Sequence, residues 1–278
     1  MAYTFGGTTG DHLTWTESAS PWGITARSGI IAGWYRPTTL TAGRALWSVG
    51  GVNRAEIATT TSEIKLVLDR ATTDTEWTTT GLGLAVNQWH FVAVLQNNFN
   101  TGPVTNFRVW SSVGTDIPTA VTVAQTIAGA GNTINSTVVT AGNVSAAGAT
   151  AFQGQIGRFD YVVGVSASSL IGNTNGSIGT ENERIMFEQV VVPIWAGYFP
   201  TFYGSGTQSN NGITHVVWDL DVEGTQSGGN ATLIGAGVRN GGGVGSAFRD
   251  FVAAVASPSI ERRPIPQQTP LKSYWRRR

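Results

Sequence analysis

The residues most able to do chemistry are three acids in Asp219-Leu-Asp-Val-Glu223. Carboxylates at i, i+2 and i+4 of a strand project to one face, and two carboxyls at short separation are the equipment of glycoside hydrolysis. A polar solvent face on an edge strand accounts for the same three acids, and that reading is preferred. The histidines are His12, His90 and His215, and there is no cysteine. A zinc site would therefore need these three plus carboxylates, and their spacing offers no cluster. No Gly-x-Ser-x-Gly elbow is present for a serine nucleophile. Asp11, Asp69, Asn97, Asn98, Asn100 and Asp160 are oxygen donors of the type calcium takes. No Asp-x-Asp-x-Asp-Gly loop gathers them, so they read first as turn formers, with calcium kept as an alternative. The run Gly235–Gly245 lacks the Gly-Lys-Ser/Thr of a phosphate loop. Catalysis is not expected.

The elements that must carry these groups are strands. Ser28–Tyr35 is a compact apolar run, and Arg44–Val49 is another, closed by Gly50-Gly51. Glu63–Asp69 and Asn106–Trp110 alternate polar and apolar residues, so one face of each is buried. Asn87–Leu95 is longer and reads as largely buried, and Ala151–Val163 pairs alternation with small residues. Turn residues separate these segments, the spacing of an antiparallel sandwich. Residues 114–150, poor in charge, read as a loop or an irregular strand pair over one face. Glu181–Val190 is the helix candidate, capped by Thr180 and ended by Pro193. Thr214–Val222 is a late strand.

Charged residues make up only 12% of 278, with a net charge of +0, so Thr, Ser, Asn, Gln and Gly must wet the surface. Ten tryptophans and a 41% apolar fraction exclude a disordered chain. No apolar run approaches the length that spans a bilayer. The start, Met1–Phe5, has no basic region followed by an apolar stretch, so an export signal is not expected. From Ser257 onward lie four prolines and six of the 17 basic residues: Arg262, Arg263, Lys272, Arg276, Arg277 and Arg278, with Tyr274 and Trp275 among them. This tail reads as an extended arm that docks on a neighbouring subunit, Pro limiting the entropy lost on binding. A disordered tail ranks second and phosphate contact with nucleic acid third.

Three stretches, in order, resemble the laminin-G-like, concanavalin A-like jelly-roll family: Ile30–Pro37 with its Trp-x-x-Pro, Asn87–Val94 with Gln-Trp-His-x-Val-Ala, and Phe152–Tyr161 with Phe-x-Gly-x-Ile. The likeness covers residues 2–170. The resemblance implies an all-β antiparallel β-sandwich (concanavalin A-like jelly roll), with one short helix and an extended C-terminal arm. Domains follow as a jelly roll over 1–170, then a helix, late strands and Gly-rich loops over 171–256, packed on or completing the sandwich. The arm is 257–278. Trp218-Asp-Leu-Asp with Ser227-Gly-Gly-Asn resembles an edge strand and its turn in the same family. In the fold-related retaining β-glucanases, a strand of spaced acids supplies nucleophile and general acid/base. That likeness would cast Asp219 and Glu223 in those roles, but Asp219 is one methylene short of the expected Glu.

Tailed-phage proteins with this domain add a helix, this second stretch and a Pro/Arg-rich end. The resemblance therefore implies a non-enzymatic virion structural protein, a capsid decoration or cement protein or a tail fibre component. Its expected partners are other virion subunits and its own copies, with host glycans as a further ligand; no membrane partner or cofactor is expected. A free carbohydrate-binding lectin module is the alternative, and a glycosidase the third. Trp34, Trp47, Trp89 and Trp110 fall in strand signals and are expected to fill the space between two sheets. Trp15, Trp22, Trp77 and Trp195 lie near turns and are the candidates for exposed glycan or partner contacts.

Overall fold

The computed structural model describes residues 3–8, 11–16, 28–96, 107–130, 138–145, 148–164, 184, 186–197 and 214–219. The expected alternation becomes thirteen strands in this region: β1 (Tyr3–Gly6), β2 (Leu13–Thr16), β3 (Ser28–Pro37), β4 (Ala45–Val49), β5 (Asn53–Ile57), β6 (Ile64–Leu68), β7 (Thr75–Thr80), β8 (His90–Gln96), β9 (Phe107–Val113), β10 (Thr119–Ile127), β11 (Val138–Ala141), β12 (Gln153–Gly164) and β13 (Thr214–Asp219). Every pairing between them is antiparallel. The path runs β1-β12-β3-β8-β9-β10-β7-β6-β5-β4-β11-β2, with β13 beside β1 on the free side of β12.

This single path folds over into a two-layer β-sandwich at β10. Thr119–Val121 pairs with β9 in the first sheet, and Thr122–Ile127 with β7 in the second. The segment read as a loop or irregular pair over one face is therefore corrected. It holds a nine-residue strand that joins both sheets, and β11, inserted between β4 and β2. The reason is the Val121/Val123 alternation, which packs against the core although the segment carries almost no charge.

The main core lies between the layers. Ile31 and Tyr35 of β3, Val92 and Val94 of β8, and Phe159 and Tyr161 of β12 meet Trp47, Ile57, Leu66, Leu68 and Trp77 of the second sheet. Trp77 and Phe107 touch edge to face across the fold, with ring centroids 4.6 Å apart. Each such fully buried side chain contributes about 1.5–3 kcal/mol of transfer free energy. Gly154 explains why the β12 signature needs glycine. Its φ is +146°, and a Cβ there would run into the Arg36 carbonyl of β3.

The alternate residues of the first sheet face the other way, yet they are buried too. Ile30, Ala32, Trp34, Phe91, Ala93, Leu95 and Trp110 form a second cluster. A short helical strap covers it with Met186, Val190, Val191, Ile194 and Trp195. Trp34 and Trp110 thus lie beneath the strap and not between the sheets, and Trp89 is half-buried against the same cluster. The helix expected over Glu181–Val190 is present at its described residues, 184 and 186–190, but it widens and runs on past its expected end. Phe187–Val191 is a π-turn, and α1 is Val192–Trp195. Pro193 begins α1 instead of ending a helix. Its ring excludes the ordinary bond to the carbonyl four residues back, and the turn before it widens so that Val192 N–H reaches Phe187 O.

Candidate functional site

The strongest polar construction on the sandwich lies on the outer face of the second sheet. Register sets two cross-strand rows there: Arg54–Val67–Glu76, and Glu56–Lys65–Thr78–Ala124, with Thr80 opposite Thr122 alongside. The charges alternate along a chain of ion pairs. Arg54 Nε is 2.6 Å from Glu56 Oε2, and Lys65 Nζ is 2.8 Å from Glu56 Oε1 and 3.2 Å from Glu76 Oε1. Burial pulls the Lys65 ammonium down, but hydrogen bonds and charge from Glu56 and Glu76 outweigh it and leave the pKa raised. Half-buried alternating charge beside a row of threonines presents fixed donors and acceptors on a rigid surface. It suits a polar ligand.

Trp77 and Trp195, expected as exposed platforms, are buried at 2% and 6% exposure. Trp77 fills the main core and Trp195 anchors the strap, because neighbouring turns do not decide which way a strand or helix residue points. Trp15 is opposite Val139 in the β2–β11 register, and its side chain lies outside the described residues. Trp22, Asn97, Asn98, Asn100 and Glu223 lie outside them too, as do the arm residues Arg262, Arg263, Lys272, Tyr274, Trp275, Arg276, Arg277 and Arg278.

Asp219 closes β13 opposite Arg158, on the edge of the first sheet, and the side chains of β13 lie outside the described residues. Of the oxygens considered for calcium, those of Asp11, Asp69 and Asp160 fall on described residues. Asp11 Oδ2 accepts from the Gly6 and Thr8 amides at 2.8 and 3.1 Å. Asp69 faces Asp74 across a hairpin; burial first, then the hydrogen bond and charge of Asp74, push its carboxyl up against a smaller opposing effect of Arg54. Among the described residues, no three His, Asp or Glu side chains gather in a way that could hold a metal ion.

Asp160 is in a pair that the sequence reading missed. Arg158 Nε and Nη2 donate to its two oxygens at 2.6 and 2.8 Å, and its carboxylate is fully buried. An Arg-x-Asp in a strand places both on one face, which was the available signal.

No family model matches the sequence, and no curated protein matches it. Solved structures do. The mouse laminin alpha1 chain domains LG4-5 are 13% identical, with a TM-score of 0.39 over 57% of this chain and 40% of that one. The LG1-3 region of the laminin alpha2 chain is 9% identical, with a TM-score of 0.40 over 55% and 30%. A proposed carbohydrate-binding protein from Bacteroides ovatus is 13% identical, with a TM-score of 0.38 over 80% and 61%. This chain spans less than two thirds of the length of each. The sandwich assignment itself rests on the strand pairing.

Proposed function

We propose that this chain is a non-catalytic binding protein that serves as a structural component of a tailed-phage virion, a capsid decoration or cement protein or part of a tail fibre. The observation that carries the non-catalytic part is the pairing of opposite charges on the two sheets. Arg54, Glu56, Lys65 and Glu76 pair with one another, and Arg158 holds Asp160. Groups so engaged stiffen a surface and are poorly placed to move protons. The placement in a virion is supported by the order of sequence features: jelly-roll signatures, strap, late strand, then the Pro/Arg-rich arm. The arm tethers the body to a neighbouring subunit. Deleting residues 258–278 is expected to abolish co-purification with particles, and a truncated protein that still binds particles normally removes the tether.

A lectin role is a second reading, favoured by the threonine and paired-charge rows on the second sheet. It predicts saturable glycan binding that Thr78→Val with Thr122→Val weakens. A broad glycan array without a hit ends it.

A further inference from the structure

The loop between β7 and β8, residues 81–89, closes one end of the main core. Leu82 and Leu84 insert there at 4% and 5% exposure. Its first part is clamped by Glu63, whose Oε1 accepts from Gly81 N at 2.8 Å and Oε2 from Leu82 N at 3.2 Å. Gly81 and Gly83, at φ +88° and +71°, supply turning freedom beside that clamp. The far part is held by the His90 ring, whose Nε2 accepts from Ala85 N at 3.0 Å. Asn87 N donates to Pro37 O at 2.7 Å, and Arg36 Nε donates to Asn87 O at 3.2 Å. Asn87 sits at φ +61°, an uncommon conformation for a residue with a side chain. Beside this loop stand three exposed apolar side chains, Val86 at 47%, Val113 at 39% and Ile117 at 63%. The two loops are joined by Gly114 N to Trp89 O at 2.8 Å.

We propose that residues 81–89 form a plug hinged at the Glu63 clamp and latched by His90, and that acid unlatches it, enlarging the apolar tip at Val86, Val113 and Ile117. The latch works only with a neutral imidazole. To accept from Ala85 N–H, Nε2 must keep its lone pair, so the ring proton sits on Nδ1, which is buried without a partner. A second proton on Nε2 turns the ring toward Ala85 O, 3.2 Å away, and orphans the Ala85 amide. It also puts a positive charge where the residue is fully buried. Burial is the larger influence and lowers the imidazole pKa from 6.5, with the Ala85 carbonyl opposing it in part.

Among the described residues, no acidic side chain adds to the influences on the ring. On β3 its register partner is Tyr35, whose phenol burial pushes up and keeps neutral. Arg36, next in that strand, is engaged by Asn87 O and Gln155 Oε1. On β9 the register partner is Val113, and Asp116 is exposed in the turn beyond. The loop itself carries no charged residue.

A lowered imidazole pKa in the latched state makes latching strongest above about pH 6.5. Below that value one proton opposes it, by at most about tenfold per pH unit. The test is amide hydrogen exchange on the full chain between pH 7.5 and 5.5, corrected for the chemical rate. Leu84, Ala85 and Asn87 are expected to lose protection with acid while Leu82, held at the Glu63 hinge, and Val92 and Val94 keep theirs. In His90→Gln, which bonds without titrating in this range, the loop should lose this pH dependence. Equal wild-type protection at both pH values overturns the proposal, and so does a His90→Gln loop that still responds. If that variant does not fold, an NMR titration of the wild type decides. The His90 ring and the Ala85 amide must shift with one midpoint, and separate midpoints overturn the latch.

Discussion

Changing Asp160 to Asn takes away the carboxylate that the Arg158 guanidinium grips at two points. The Arg158 side chain is only 6% exposed and Asp160 is 0% exposed, so water cannot replace the lost carboxylate. Both Asp160 oxygens are bonded, at 2.6 and 2.8 Å, a two-point contact with strong charge assistance. Removing one partner of such a buried pair costs about 3–5 kcal/mol. Asn keeps one acceptor oxygen, which sets the expectation near the lower end, about 3 kcal/mol. With a urea slope of about 3 kcal/mol per molar or somewhat more, the unfolding midpoint should fall by close to 1 M. The control is the double change Arg158→Met with Asp160→Leu. It removes both charges and keeps apolar bulk at the buried position, so most of the lost stability should return, because paired buried charges rarely outperform good packing. Equilibrium urea unfolding followed by tryptophan fluorescence measures both. A single-variant loss under about 1 kcal/mol would equate the pair with a screened surface contact and refute the reasoning. A double variant less stable than the single would refute it as well.

Trp195→Ala should cost about 3–5 kcal/mol locally and loosen the strap before the sandwich. Limited proteolysis should then cut near 184–197 first, and unchanged cleavage there would contradict the covering role. Gly154→Ala should lower the melting temperature by several degrees, since the positive φ alone costs about 1–3 kcal/mol and the β3 carbonyl stands in the way. Asp74→Asn removes the like charge that helps to raise the Asp69 carboxyl. A raised native pKa means the folded state gains stability as pH falls toward 3.8. The variant should therefore be more stable than wild type at pH 7 and lose that advantage toward pH 4. A pH-independent difference in urea midpoint would show that the two carboxyls do not interact.

The periodicity of the chain showed β3, β8 and β12 plainly, because long runs of Ile, Val, Phe and Trp have no other home in a chain so short of charge. It was silent on β5 and β7, and left β10 undecided between a loop and an irregular strand pair. Arg54 and Glu56 face out from β5, Thr crowds β7, and β10 is exposed for most of its length, so their inward residues are too few to stand out. The Arg54–Glu56–Lys65–Glu76 chain is assembled from three strands by register, which no single stretch of sequence contains. The arm remains legible only as composition, in its prolines and arginines.

Trp34, Trp110 and Trp195 draw the dividing line most sharply. An alternation of two says which residues share a face and that large apolar area must leave water. It does not say what lies against that face. Trp34 and Trp110 could have filled the space between the sheets, and Trp195 could have stood in solvent. The tertiary structure brought a strap from about 150 residues later in the chain over the outer face of the first sheet. That one placement turned an expected surface tryptophan into core and gave the sandwich a second core outside its two layers.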